Sequence, residues 1–140
     1  MSAAALLLDT GGWLLGLAGV REYSEAMKKA SRCIVPGLVL AEVDWHLRAK
    51  RNQMRLLMQE LAAGAYQYEP TTGADLTRAM QIDRKFAKAG LGLVDASVAA
   101  LAERTGVHRV LTTDSDFVVL RIGSRFNTAL ELVVPPRVRT

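Results

Sequence analysis

The sequence contains very little cysteine and histidine. Among its 140 residues there is one cysteine, Cys33, and there are two histidines, His46 and His108. A lone cysteine cannot form an internal disulfide, so we expect Cys33 to be a small buried residue in a reducing compartment. Zinc sites are assembled from clusters of cysteine and histidine. These shortages exclude both a disulfide framework and a zinc site.

Long hydrophobic runs are also lacking. The stretch 3–20 carries one charge, Asp9, which is followed by Gly11-Gly12. A membrane helix would bury this aspartate at a cost of about 2.5–3.5 kcal/mol. A signal peptide would need a basic segment, and none precedes Arg21. We therefore expect a strand at 5–8, then a turn and a helix, in a soluble cytoplasmic protein that does not bind a membrane.

The composition is that of an ordinary globular domain. Half of the residues are apolar and 23% are charged, which argues against disorder. No repeat, linker or low-complexity tract interrupts the chain, so we expect a single domain over residues 1–140. The net charge of +4 favours a polyanionic partner only slightly over a merely basic surface.

Short apolar runs alternate with amphipathic segments along the chain. Strands are predicted at 5–8, 33–35, 66–69, 109–112 and 130–134. Helices are predicted at 13–18, 22–31, 51–63, 72–89 and 96–104, with Pro36 in the first turn of another. Apolar strands separated by helices are typical of parallel sheets covered on both faces. We therefore predict an α/β sandwich with a mostly parallel sheet.

The stretch Gly90–Phe117 holds a helix, a strand and three aspartates. Apolar residues recur at helical spacing after Asp95 until Gly106 ends the helix. A short buried strand and a turn follow, and the turn contains Asp114 and Asp116. Functional sites in α/β sheets gather at the carboxyl ends of strands, where these acids are expected.

Two further acidic residues occur in the same context. Asp9 ends the first predicted strand, and Glu42 borders the apolar side of the helix after the second. Several carboxylates in one cleft repel one another unless a cation is present. Hard oxygen ligands without cysteine or histidine suit Mg²⁺ or Mn²⁺, which can activate a water and neutralise a phosphodiester. The pattern fits metal-dependent phosphodiester hydrolysis.

Each acidic residue also has a purely structural interpretation. Asp95 taken alone suits a helix N-cap, and Asp114 or Asp116 taken alone suits an Asx-turn. Asp9 could shape the turn before the glycines, and Glu42 could pair with the histidine one helical turn later. Chance would have to supply all of these coincidences together, so the joint interpretation as a metal site is favoured.

Four motifs resemble one known family. They are LLLDT, PGLVLAEV, GLVDASVAALAERTG and VLTTDSDF, and they span nearly the whole chain. In order and spacing the sequence resembles the PIN-domain nucleases, and more narrowly the VapC toxins of type II toxin–antitoxin pairs. The run Leu91–Phe117 carries most of the resemblance. Gly11 and Gly12 depart from the Ser or Asn that is common after the family's first Asp.

The resemblance implies a three-layer α/β/α sandwich and a toxin with Mg²⁺- or Mn²⁺-dependent endoribonuclease activity. It places Asp9, Glu42 and Asp95 at the family's three acidic metal-site positions and Asp114 at the fourth, with Asp116 as an additional candidate ligand. It also implies a homodimer, an RNA substrate and a cognate VapB-type antitoxin whose tail blocks the active site.

Two rival functions stay open. A non-catalytic PIN-like module that binds RNA or protein fits less well, because a protein that has lost nuclease activity usually lacks one of the acidic ligands, and here the set is intact. A DNA-directed nuclease is the nearer rival, since metal–carboxylate chemistry does not distinguish RNA from DNA. A haloacid-dehalogenase-like phosphatase is excluded, because Gly11 stands where that family needs a second Asp.

Other side chains have weaker links to RNA. The cations that could line an RNA path are Arg84, Lys85, Lys88, Arg104, Arg109 and Arg121. Each of them alone is more simply a solvated surface charge. Trp13 and Trp45 could stack on unpaired bases, but at helical spacing beside Leu and Val they are more simply core or dimer contacts.

Overall fold

A computed structural model describes residues 4–136 of the chain. Its strands are β1 Leu6–Leu8, β2 Cys33–Pro36, β3 Gln67–Glu69, β4 Arg109–Leu111, β5 Arg121–Ile122, β6 Thr128–Ala129 and β7 Glu131–Leu132. Five of them form one parallel sheet in the order β3-β2-β1-β4-β7, and β5 pairs with β6 antiparallel. The predicted α/β fold with a mostly parallel sheet is confirmed.

Six α-helices flank the sheet within this part of the chain. They are α1 Thr10–Leu17, α2 Arg21–Lys29, α3 Gly37–His46, α4 Arg51–Ala62, α5 Gly73–Lys85 and α6 Gly92–Thr105. Short 3₁₀ turns follow at Ala87–Ala89 and Ser115–Val118. Among the described residues, no helix has the length and apolar character needed to cross a membrane.

The strand order creates a crevice between β1 and β4. From β1 the chain steps to β2 and β3 in one direction, whereas β4 lies on the other side of β1. Ligand sites in parallel α/β sheets form at such a reversal, outside the carboxyl ends of the strands. The register pairs Leu8 with Leu111, so Asp9 and Thr112 leave neighbouring strands side by side.

Two helices begin three or more residues earlier than predicted, and both shifts concern acidic residues. α1 starts at Thr10, directly after Asp9, and not at Trp13. α6 starts at Gly92, several residues before its predicted start, so Asp95 lies within its first turn. The glycines near both starts indicate a loop in the sequence. In the structure α1 runs through Gly11 and Gly12, and α6 begins at Gly92, because tertiary packing overrides the low helix propensity of glycine.

The core is built from the central strands and the inward faces of the helices. Trp13 is fully buried, as expected of a core residue, whereas Trp45 is 60% exposed and the core interpretation is wrong for it. On α4, Met54 and Leu57 are buried, but Met58 is 44% exposed and its predicted inward position is wrong. The helix therefore buries a narrower stripe than its apolar pattern suggests.

The last part of the chain differs most from the prediction. The hairpin of β5 and β6 is unpredicted, since its two-residue strands are too short to give an alternating pattern. The final strand β7 covers two residues where a longer strand, 130–134, is predicted.

Pro36 lies one position away from its predicted place. It ends β2 and precedes α3, and so it is not in the first turn of that helix.

Ion pairs fix α5 against α6. Arg104 Nε donates to Asp75 Oδ1 at 3.0 Å, and Arg78 Nε donates to Glu103 Oε1 at 2.7 Å. Glu103 also accepts the Gly123 N–H at 2.6 Å, which ties the β5–β6 segment to the same network. Arg104 therefore has a structural role and is not a free cation on an RNA path.

Candidate metal centre

Asp9 lies at the carboxyl end of β1 and is only 4% exposed. Its N–H donates to the Leu111 carbonyl at 2.9 Å, which extends the pairing of β1 with β4. The Thr112 hydroxyl donates to Asp9 Oδ2 at 2.6 Å. These two contacts fix the position and the orientation of the carboxylate at the mouth of the crevice.

Gly11 and Gly12 allow α1 to begin directly against β4. A side-chain carbon at Gly12 would overlap the Leu111 carbonyl and would lie 2.8 Å from the Thr112 nitrogen. A side-chain carbon at Gly11 would overlap the Thr113 hydroxyl. At Gly12, where the added carbon would meet backbone atoms, the departure from the family's usual Ser or Asn therefore has a packing reason.

Asp95, Asp114 and Asp116 form a compact acidic group. One carboxylate oxygen from each lies within 4.8 Å of the others, and all three residues are half-buried. Asp95 reaches the group from the first turn of α6, whereas the other two come from the turn after β4. The alternative interpretation of Asp95 as a helix N-cap is wrong, because Leu91 occupies that position and no side chain caps the helix.

Asp114 has a structural contact as well as a place in the acidic group. Its Oδ1 accepts the Asp116 N–H at 2.9 Å, and its own N–H donates to the Thr112 hydroxyl at 3.0 Å. The Asx-turn interpretation is therefore correct for Asp114. It does not compete with ligand binding, because a carboxylate has two oxygens and several lone pairs.

Glu42 lies near Asp9 but outside the compact group. It is half-buried on α3, and its negative charge is one of the contributions that raise the pKa of Asp9. Among the described residues, no hydrogen bond or ion pair joins it to His46. The structure therefore places Glu42 and Asp114 near Asp9. It does not bring all five acids close enough together to bind one metal ion.

Most of the chain matches the model of one protein family. Residues 6–122 match the model of the PIN domain. The chain belongs to the PIN-domain family. No curated protein matches it as a relative.

Several solved structures have the same PIN fold. Mycobacterium tuberculosis VapC20, described as a Sarcin-Ricin loop cleaving toxin, has a TM-score of 0.65 and 19% identity, over 79% of this chain and 91% of that chain. A toxin–antitoxin complex from Klebsiella pneumoniae gives 0.65 and 19%, over 80% and 89%. VapBC2 from Rickettsia felis, bound to a DNA fragment from its promoter, gives 0.61 and 13%, over 91% and 97%. These likenesses show the fold, and the neighbours include VapC toxins of VapBC pairs.

The acids of this PIN domain are too crowded for all of them to ionise without a cation. Burial, then the hydrogen bond with Asp114 and the nearby negative charges, raises the pKa of Asp95 to about 9. Burial raises the pKa of Asp9 to about 6, although the Thr112 hydrogen bond acts in the opposite direction. Burial and the neighbouring Asp114 also raise the pKa of Asp116. Without a cation, a proton therefore stays on the group at neutral pH.

The donor set fits Mg²⁺ or Mn²⁺. Such ions bind carboxylate oxygens at about 2.1 Å, which separates opposite ligands by roughly 4 Å. The spread of the Asp95, Asp114 and Asp116 oxygens, within 4.8 Å, is of this size. Beside Asp9, the Thr10 hydroxyl is buried with no hydrogen-bond partner in the described chain, which suits a polar ligand there.

Thr112 is the site residue that sequence reasoning missed. Its hydroxyl contacts both Asp9 and the backbone of Asp114, so it joins the end of β1 to the turn after β4. The only available signal was its position, because a fully buried hydroxyl residue at the end of a central strand requires polar partners.

Proposed function

We propose that this protein is a Mg²⁺- or Mn²⁺-dependent endoribonuclease and the toxin of a type II toxin–antitoxin pair. The observation that carries the proposal is the convergence of Asp95, Asp114 and Asp116 beside the buried Asp9, at the switch point of a PIN fold. Carboxylates gathered at such a point are costly unless they bind a cation. No other group of this kind occurs among the described residues.

The acidic residues have separate roles in the proposed site. Asp9, Asp95 and Asp114 hold the cation, with Asp116 as a further ligand because its oxygen lies in the same compact group. Glu42, which lies towards Asp9, holds a second cation or orients the attacking water. When bound, the cation would lower the pKa of a water ligand and neutralise charge on the phosphodiester.

Neighbouring residues prepare the site for the reaction. The Thr112 hydroxyl fixes the Asp9 carboxylate, and its second contact holds the Asp114 turn, so two ligands keep one relative position. Hydrogen bonds of this type orient metal ligands and raise the affinity of the site. The raised pKa values of Asp9 and Asp95 also keep the acids partly protonated in metal-free protein, so that cation binding would release protons.

The partners are part of the same proposal. We expect a cognate VapB-type antitoxin and a homodimer, supported by the toxin–antitoxin complexes among the structural neighbours. RNA is favoured over DNA as the substrate because one neighbour is described as a toxin that cleaves the Sarcin-Ricin loop. A non-catalytic binding module is less well supported, since the acidic set is complete.

The direct test is cleavage of end-labelled cellular RNA by the purified protein with Mg²⁺, Mn²⁺ or a chelator. We expect cutting at a few sites with either cation and none with the chelator. Single-stranded and duplex DNA of matched length serve as competing substrates. Cutting of DNA in preference to RNA would favour the DNA-directed nuclease, and retained cation binding with no cutting of any nucleic acid would favour the binding module.

A further inference from the structure

The end of α3, the turn after it and the start of α4 carry an exposed tryptophan and four cations. This segment, residues 45–55, is called the basic corner here, and it contains no acidic residue. Its positive residues are Arg48, Lys50, Arg51 and Arg55. Only Arg51 forms an ion pair among the described residues, with Asp44 at 2.8 Å. The rest of this charge is available to a polyanion.

Two of the six cations predicted to line an RNA path are held by acidic partners. Arg104 binds Asp75, and Arg109 binds Glu131 at 3.1 Å. The basic corner is therefore better suited to phosphate binding than these two positions are.

Trp45 is exposed and held in a defined position. The residue is 60% exposed, although tryptophan normally buries most of its surface. The Arg48 guanidinium carbon lies 3.9 Å from the ring centroid, and Arg48 Nη1 donates to the Trp45 carbonyl at 2.9 Å. This contact orders a cation against the indole and leaves most of the residue open to solvent. An aromatic ring beside an arginine is the usual platform for stacking an unpaired base.

The position of Trp45 relative to the acids supports this role. It follows Glu42 by three residues on α3, so the two side chains are neighbours on the helix surface, about 5–6 Å apart at Cβ. Glu42 in turn lies near enough to Asp9 for its charge to contribute to the raised pKa of that carboxyl. A base stacked on Trp45 would therefore belong to a nucleotide close to a phosphodiester bound at the acids.

We infer that the basic corner is a binding site for single-stranded RNA, with Trp45 stacking on an unpaired base and Arg48, Lys50 and Arg55 contacting phosphates. The inference rests on the proposed function, to which it adds a substrate contact outside the acidic site. A second copy of the chain is a poorer occupant. A two-fold contact through this corner would place the cations of one copy against those of the other.

The test uses the Asp95→Asn protein, so that the RNA stays intact, and a fluorescein-labelled single-stranded RNA of mixed sequence. Adding Trp45→Ala should weaken binding roughly 5- to 150-fold, the range for losing one stacked base. Trp45→Phe should restore much of the affinity, because a phenyl ring still stacks. Tyr68→Ala, which removes another exposed aromatic side chain from β3, should change little. Duplex RNA should bind equally well with and without Trp45.

Two further readouts separate stacking from a structural effect. RNA should quench the tryptophan emission of the Asp95→Asn protein, and Trp45→Phe should abolish the quenching, because Trp13 is fully buried. Lys50→Gln should lower the slope of log affinity against log salt by about 0.7. Lys28→Gln, which removes an exposed lysine of α2, should not change the slope.

Other results would overturn the inference. These are unchanged RNA affinity in Trp45→Ala, equal losses on single-stranded and duplex RNA, or a shift from dimer to monomer in sedimentation with affinity retained. The last result would make this face a protein interface. Because binding is measured without cleavage, a protein that binds RNA through Trp45 but cuts none would refute the proposed nuclease and leave this site standing.

Discussion

Asp95→Asn is expected to lower RNA cleavage by at least roughly 10²–10³-fold, as removal of a key electrostatic group does. In metal-free buffer at neutral pH the same change should raise the melting temperature. The carboxylate of Asp95 is desolvated and repelled by its neighbours, which raises its pKa to about 9. Asparagine keeps the size and removes the charge. Cleavage and thermal unfolding of one preparation measure both effects.

The pH dependence of metal-free stability follows from the same pKa values. Asp9, with a pKa of about 6, and Asp95, with one of about 9, hold protons in the folded protein that the unfolded chain has lost by about pH 5. Their contribution to stability is therefore fully present below about pH 4. It is lost as pH rises, first through about 6 and then through about 9. Asp95→Asn should flatten the upper part of this decline.

The matched control is Asp83→Asn, which removes the charge of an exposed aspartate on α5. It should leave both cleavage and stability nearly unchanged. Attraction between Asp95 and the amino end of α6 acts in the other direction, but such terms are only about 0.3–1 kcal/mol. A folded Asp95→Asn protein that melts below the wild type in metal-free buffer would show that this carboxylate stabilises the fold, which contradicts the account.

Gly12→Ala is expected to destabilise the protein by about 3 kcal/mol or more, the upper end of the range for overpacking. The added carbon meets the backbone of Leu111 and Thr112, and these belong to or adjoin a central strand that cannot move alone. The melting temperature should fall by roughly 10 °C. Because the shift would also separate Thr112 from Asp9, we expect the variant to lose cation affinity as well. Calorimetric unfolding and a Mn²⁺ titration measure the two effects.

Gly73→Ala is the control for this substitution. Gly73 lies in the first turn of α5, and a side-chain carbon there meets no other atom within 4 Å. The change should be neutral or slightly stabilising, because alanine reduces the freedom of the unfolded chain. If Gly12→Ala and Gly73→Ala had the same melting temperature, the close approach of α1 to β4 would not be needed for the stability of the fold.

The sheet and the acidic residues could be predicted because local patterns determine them. The apolar run before Asp9 and the strand before Asp114 place both acids at carboxyl ends of strands, and the structure brings those ends together. The beginning of α6 could not be predicted in this way. The two glycines just before Asp95, Gly90 and Gly92, indicate a loop in the sequence. In the structure both have positive φ values, 63° and 76°, and the helix nevertheless begins at Gly92.

Contacts between distant residues account for the rest. Whether Arg104 is a free cation depends on Asp75, which lies 29 residues away, and no local pattern reveals that ion pair. The contact between Thr112 and Asp9 spans 103 residues. Trp45 has the spacing of a core residue, but the neighbouring elements leave that side of α3 uncovered. Tertiary packing, which composition and periodicity do not encode directly, decides each of these cases.

The most direct test of the central claim, that these acids hold a divalent cation, is calorimetric titration of the metal-free protein with Mn²⁺. The account predicts saturable binding with release of protons, so the measured heat should vary with the ionisation enthalpy of the buffer. Asp83→Asn should bind as the wild type does, and the Asp9→Asn, Asp95→Asn double variant should not bind. Equal binding by the wild type and a folded double variant, or no binding by either, would contradict the claim.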